Sequence, residues 1–351
     1  MEQSDTAFRA DVVRSMAAVE TREGALPRGK DWEALVAAGK PVLFKGAALD
    51  WELVAAGKRS AAEAADCLRR YSNGADVTVY RGSAAMHGRF HYNDALDGFN
   101  FKGTREPVEQ VLDDLLGASD PIYVGSTDIE RYFPGFSAAN GLDLAAIHPM
   151  LVAYPGLASL WIGNRTTASA HYDGTHNIAV CAAGHRRFTL FPPDQIGNLY
   201  PGPLEPTPAG QVVSMVDIAD PDFDRFPRFA DALDNAQVAQ MEPGDIVVYP
   251  AMWWHCVEAL DSFNVLVNYW WNAVPSFVDS PQVTLLHGLL SLRERPQQER
   301  EAWRALFDYY LFGDPELARQ HLPDHAHGPL APIDDGIARR LRALVARKLQ
   351  R

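Results

Sequence analysis

The spacing of apolar positions changes character twice along the chain. Residues 1–40 read as mostly helical, with Asp31 to Ala38 a short helix closed by Gly39. Pro41 to Phe44 is an apolar run of strand type, residues 60–71 are alanine-rich and helical, and Val77 to Tyr80 reads as a strand. Residues 107–117 place Val108, Val111, Leu112 and Leu115 on one helical face. From about residue 121, short β-rich runs follow one another between turn residues: 122–124, 159–162, 177–180, 187–191, 211–213, 245–249 and 264–269. Strands at this spacing predict a sandwich or barrel. A segment rich in Pro, Asp and Phe, 192–240, interrupts them, and inserts of that length in a compact domain are functional or disordered. After Pro275 the apolar spacing returns to three and four, predicting helices over 280–293 and 297–312 and a last amphipathic helix with a basic face from Arg339. The expected organisation is helices and strands over 1–120, a β core over 121–275, and a helical region over 276–351.

Composition narrows the function classes. The chain has 351 residues, 47% apolar and 22% charged, which is globular and not disordered. Its formal net charge is −13, which disfavours nucleic acid as a partner; the basic C-terminal stretch reads as a solvated helix face. The three cysteines, Cys67, Cys181 and Cys256, form no metal or disulfide pattern and suit a reducing compartment. No apolar run has the length of a membrane span and no secretory pattern opens the chain, so a cytoplasmic protein without a membrane partner is expected.

The chemistry concentrates in two phrases. In Ala170-His171-Tyr172-Asp173, strand alternation sends His171 and Asp173 to the same face, roughly 7 Å apart, where both can reach one ion. A His-x-Asp pair alone arises by chance at this composition. The second phrase is a turn (Glu242 to Asp245), an apolar strand, Pro250, and then Trp253-Trp254-His255. It supplies a third donor. Two histidines and one carboxylate on one side of an ion leave coordination positions open, the facial arrangement of non-haem Fe(II) oxygenases, where a structural zinc site is closed by four ligands. On the run that follows Gly184, Arg186, Phe188 and Leu190 share one strand face and Arg187 the other. A guanidinium among Phe and Leu on an inward face needs a partner, and an incoming carboxylate is a natural one; the other reading is a pair of arginines at an exposed strand end.

The phrases Leu160 to Gly163, His171 to Asn177, Gly184 to Gln195, Leu199 to Pro203, Pro221 to Phe229, Pro243 to His255 and Leu266 to Trp271 together resemble the JmjC-type, cupin-like branch of the Fe(II)/2-oxoglutarate-dependent oxygenases, over about residues 38–275. The asparaginyl hydroxylase acting on hypoxia-inducible factor is a relative in that branch. The resemblance implies a mainly β fold with flanking helices around a double-stranded β-helix (jelly-roll, cupin) core. It implies Fe(II) on His171, Asp173 and His255, and a 2-oxoglutarate co-substrate contacted by Tyr123, Asn177, Arg186 and Asn268. The family's usual Lys is replaced by Arg186, and its Thr before the first His by Ala168. The implied activity is a dioxygenase, most simply a hydroxylase, that consumes O2 and gives succinate and CO2. The implied assembly is a homodimer through the C-terminal helices. The substrate stays open among small molecules, peptides and proteins. The alternatives are a zinc or nickel cupin, or another oxygenase, that does not use 2-oxoglutarate, and a non-catalytic ligand-binding cupin. His321, His325 and His327 lie among Pro and Gly and read as a loop, not a ligand set. The segment 82–105 is a candidate pocket lid.

Overall fold

The computed structural model describes residues 16–154, 156–208 and 210–350. The chain divides into two compact units, one to Asn272 and one from Ala273. In the first unit the strands are β1 (Ala17–Ala18), β2 (Glu20–Glu23), β3 (Val42–Lys45), β4 (Asp76–Arg81), β5 (Arg89–Phe90), β6 (Lys102–Pro107) and β7 (Ile122–Asp128), followed by β8 (Ala158–Gly163), β9 (Thr167–Tyr172), β10 (His176–Ala183), β11 (Arg186–Phe191), β12 (Gln237–Met241), β13 (Ile246–Tyr249), β14 (Trp254–Ala259) and β15 (Asn264–Trp271). They form two sheets, in the orders β2-β3-β13-β10-β15-β8-β7-β4-β6 and β1-β12-β11-β14-β9-β5. From β8 onward the chain changes sheet at almost every strand. That alternation is the double-stranded β-helix, and the expected fold class holds.

Strand parity decides what each residue does. On β10, Ile178 and Val180 join the cluster built with Trp32, Leu53, Leu68 and Leu112 of the covering helices, while Ala179 and Cys181 join the barrel interior. On β13, Ile246 and Val248 face the helices, and Val247 and Tyr249 face inward. Both faces of these strands are therefore buried, which explains their unbroken apolar sequence. The helix Ala61–Tyr71 starts where Ser60 accepts a hydrogen bond from the Glu63 N–H, and the helix Val108–Gly117 buries the four apolar residues its spacing predicted. At the β10–β11 turn Gly184 has φ +68°. A Cβ there would come within 2.4 Å of Asn264 Oδ1, so the turn that starts β11 at Arg186 needs glycine.

Three sequence expectations change. Residues 1–15 lie outside the described residues, and the helical reading fails for 17–23. These residues pair in parallel with β12 and β3, because two sheet edges offer hydrogen bonds that a polar local sequence does not reveal. Residues 211–213 are not a strand; Val213 makes one bridge to His171. Gln237–Met241, read as insert, is β12, paired with β11. The described residues of the insert before it pack on the barrel. Leu199, Val212 and Phe229 pack on Tyr172, Phe191 and Trp254, the outward face of the second sheet. Among the described residues no helix is long and apolar enough to cross a membrane.

The 273–351 unit contains the helices Pro281–Leu292, Gln297–Phe307 and Asp335–Leu349. Among its described residues only Ala318 and Ala338 are buried. Pro281–Leu292 carries no charged residue and buries none of its side chains.

Candidate metal centre and cavity

β9 and β14 are neighbours, and their register sets His171 directly opposite His255, with ring centroids 4.3 Å apart. Asp173 follows the end of β9 on the same parity as His171. Its backbone C=O accepts from the Met252 N–H at 2.8 Å, which ties it to the turn that enters β14. One donor atom from each of His171, Asp173 and His255 lies within 4.8 Å of the others. Among the described residues no other group of three such side chains comes together; His321, His325 and His327 do not.

The histidines are oriented for binding. His171 Nδ1 lies 2.8 Å from the Ser169 C=O, and His255 Nδ1 lies 3.0 Å from the Trp253 C=O. Each contact is satisfied by an Nδ1–H donor, which leaves Nε2 with a free lone pair. His255 Nε2 stands 3.6 Å from Asp173 Oδ2. Burial, with the neighbouring His171, pushes His255 down to about 4, against the opposite pull of Asp173. It is neutral at physiological pH, the form a metal requires.

A cavity of about 610 Å³ opens beside the triad. Arg186 lines it and is 3% exposed. The exposed-strand-end reading of this arginine is therefore wrong. Arg187 is the residue that faces away, paired with Glu258. Arg186 donates to the Trp161 C=O at 3.3 Å, and its Nε has no partner. The ionisable groups that act on it are Tyr123 and Cys181, both held neutral by burial, the thiol pushed up to about 12. Among the described residues no carboxylate pairs with the guanidinium, and burial lowers its pKa. A buried, uncompensated charge of this kind is strongly unfavourable until an anion joins it.

Tyr123, on β7, and Asn268, on β15, also line the cavity. Asn268 donates to Asn177 Oδ1 at 3.0 Å, and its own Oδ1 has no partner. Asn177 is fully buried, is not on the cavity wall, and holds Asn268 from behind. His176 stacks on Trp271 at 4.2 Å and is not on the wall either. Sequence reasoning missed Tyr249, whose ring lies 4.8 Å from that of His255. It also missed the hydrogen bond from Trp270 Nε1 to Asp173 Oδ2 at 3.0 Å. Inward parity on β13 and β15 was the available signal for both. The candidate lid contributes Phe90, Phe99 and Phe101 to the cavity wall.

Both implied groups fit these residues. Two neutral imidazoles and one carboxylate on one side suit a divalent ion with open positions. The orphaned Arg186 Nε marks a donor on the wall that lacks a partner, as a carboxylate pocket would have before its ligand binds.

Residues 29–277 match the cupin-like domain family. Among curated proteins, human HSPB1-associated protein 1 is 32% identical over 151 residues, 42% of this chain and 30% of that protein. The tRNA wybutosine-synthesizing protein 5 of Gallus gallus is 31% identical over 204 residues, 57% of this chain and 54% of its own length. The lysine-specific demethylase JMJ31 of Arabidopsis thaliana is 30% identical over 128 residues, 35% of this chain and 23% of that protein. The chain thus spans between about a quarter and a half of these relatives. With the matched region covering most of the sequence and containing β3 to β15, the chain belongs to the cupin-like domain family of JmjC type, which includes Fe(II)/2-oxoglutarate oxygenases.

Proposed function

We propose that this protein is an Fe(II)- and 2-oxoglutarate-dependent oxygenase that hydroxylates a C–H bond, in the manner of the asparaginyl hydroxylase its motifs resemble. The observation that carries the reading is Arg186: a buried guanidinium with no carboxylate partner among the described residues, on the wall of the cavity that presents His171, Asp173 and His255. When bound, the metal and the 2-oxo acid would supply O2 activation coupled to decarboxylation, releasing succinate and CO2. The chain's own residues do the rest. His171 and His255 offer Nε2 because the carbonyls of Ser169 and Trp253 hold their Nδ1–H groups. Arg186 receives the distal carboxylate through its two-pronged fork, and Tyr123, kept protonated by burial, can donate a hydroxyl to it. Asn268 Nδ2, with one N–H held by Asn177 Oδ1, has a second N–H that can donate to the acid. The aromatic walls restrict water around the open coordination positions.

The same reading places the protein in a reducing compartment, the cytoplasm, which suits its three buried free cysteines. It also makes the protein a homodimer. Val283, Leu286 and Leu290 are 61%, 52% and 80% exposed on a helix with no Asp, Glu, Lys or Arg, and exposed apolar side chains gathered in this way mark a surface that another covers. A second copy of the chain is the partner always at hand to cover it.

The test is an anaerobic titration of Fe(II)-loaded protein with 2-oxoglutarate, read by the weak visible charge-transfer band of a chelated 2-oxo acid. The band is expected in the wild type and absent in His171→Ala. Iron binding without a band would sink the reading and leave a metal cupin that does not use 2-oxoglutarate.

A further inference from the structure

The cavity has two chemically different parts. Its charged groups are few: among the described residues that line it, Asp173 is the only carboxylate and Arg186 the only Lys or Arg. The remaining wall is dominated by rings. Phe99 and Phe101 stack at 5.2 Å with planes 10° apart, and Phe101 meets Tyr80 edge-on at 5.3 Å. Phe90 joins Phe101 at 5.2 Å and Tyr123 at 5.5 Å. Tyr123 leads to Trp161 at 5.9 Å, and Trp161 meets the edge of Trp270 at 5.7 Å. The last ring donates to the Asp173 carboxylate, so the track runs unbroken from the 91–101 loop to the triad. Phe99, Phe101, Tyr80 and Trp161 are only half-buried, and their remaining surface faces the cavity. Two glycines keep room beside them. A Cβ on Gly125 would lie 3.2 Å from Tyr80 Cε2 and 3.3 Å from Trp161 Cζ3, and one on Gly103 would lie 3.3 Å from Tyr80 Cε1.

We propose that the substrate is a small molecule carrying a planar, uncharged aromatic ring, bound by stacking on this wall. The inference rests on the oxygenase reading for what fills the polar end. With a divalent ion on the triad and a dicarboxylate on Arg186, the charged groups of the cavity are all engaged. An ammonium would find ring faces for cation–π contact but no free carboxylate to pair with. A second anion would find no free cation. A neutral ring avoids both penalties, and each well-placed ring pair adds roughly two- to tenfold in affinity beyond what area alone gives. The volume, about 610 Å³, falls in the range that encloses a small ligand.

The test is isothermal titration of the anaerobic Fe(II)- and 2-oxoglutarate-loaded protein with indole, cyclohexanol and tetramethylammonium. Saturable indole binding is expected, roughly tenfold tighter than cyclohexanol, with tetramethylammonium silent. Phe101→Ala is expected to weaken indole by a similar factor. The wild-type ranking decides the matter even if that variant does not fold. Tetramethylammonium equal to or tighter than indole would overturn the proposal, as would an absence of indole binding while the charge-transfer band forms; the latter leaves the oxygenase reading intact. If no band forms, the oxygenase reading fails by itself. Indole bound in the same rank order to the Fe(II)-loaded protein then still supports the ring wall, and its absence overturns that too.

Discussion

In the barrel, the side chains left without a partner are polar and buried. Among the described residues four buried polar side-chain atoms lack a hydrogen-bond partner, and two of them, Arg186 Nε and Asn268 Oδ1, belong to residues of the cavity. In the 273–351 unit the uncovered side chains are apolar and exposed: Leu285, Leu286 and Leu290 on one helix, Leu311 and Phe312 after the next. An anion satisfies the Arg186 donor, and another apolar surface covers the leucines and Phe312. The barrel has a dense core and can hold an uncompensated charge against it. The other unit buries two alanines among its described residues and has no comparable core.

Charging the apolar helix is the strongest way to break this contrast. Leu286→Glu with Leu290→Glu removes two side chains each worth about 1.5–3 kcal/mol when buried, and a two-fold interface loses them on both copies. Light scattering is expected to give the dimer mass for the wild type and half of it for the variant at micromolar concentration. A monomeric wild type would remove the basis of the comparison. Arg186→Met comes next and has opposite effects on two measurements. The affinity for 2-oxoglutarate is expected to fall about thirtyfold or more, because a buried charge pair that loses one partner costs about 2–5 kcal/mol. The unliganded protein is expected to gain about 1 kcal/mol or more, because the uncompensated guanidinium is gone. A destabilised apo variant would show that Arg186 is structural.

Much of this was legible in the sequence because strand alternation is local. It placed His171 with Asp173 and Arg186 opposite Arg187 without any knowledge of the topology. The cupin-like fold was legible because its strands, buried on both faces, are unbroken apolar runs. Long-range placement was not legible. Nothing near Phe99 or Phe101 indicates that their loop closes on Tyr80, and nothing near Trp270 points to a carboxylate 97 positions away. β12 was hidden because Gln237–Met241 is short, has its two polar residues three apart and so out of strand alternation, and follows a long insert. Asn177 was assigned to the co-substrate by resemblance, whereas its side chain reaches the cavity only through Asn268.

A smaller effect separates the barrel's buried cations from its buried histidines. Burial, then Arg89, pushes His91 down to about 4 from an ordinary 6.5. Its Nε2 lies 3.0 Å from the Ser214 C=O, where Arg89 also donates, at 3.5 Å; that segment bridges to His171 through Val213. Between pH 4 and 6.5 the unfolded chain binds a proton here that the folded chain refuses. Stability is therefore complete above about pH 6.5 and falls as the pH drops, by up to about 3 kcal/mol at pH 4. Urea midpoints against pH for the wild type and His91→Gln are expected to agree above about pH 6.5 and to separate as the pH falls, the wild type losing stability that the variant keeps, since the amide retains a donor for Ser214 and does not titrate. Parallel curves would assign the acid sensitivity elsewhere, His255 first.

Trp270→Phe tests the narrowest version of the contrast, because Trp270 belongs to the apolar wall and to the polar site at once. Its ring meets Trp161 edge-on, and its N–H holds Asp173 Oδ2. Phenylalanine keeps a ring at the position and deletes the hydrogen bond. Residues that orient a metal-bound carboxylate typically contribute ten- to a hundredfold in metal affinity. The expected result, read by Zn(II) competition with a chromophoric chelator, is a loss near the lower figure, since the Met252 N–H still fixes the Asp173 backbone. Indole binding is expected to change less than metal binding. If the two fall together, the ring itself and not its N–H is what Trp270 contributes, and the aromatic wall and the metal end are one packed unit whose parts cannot be varied separately.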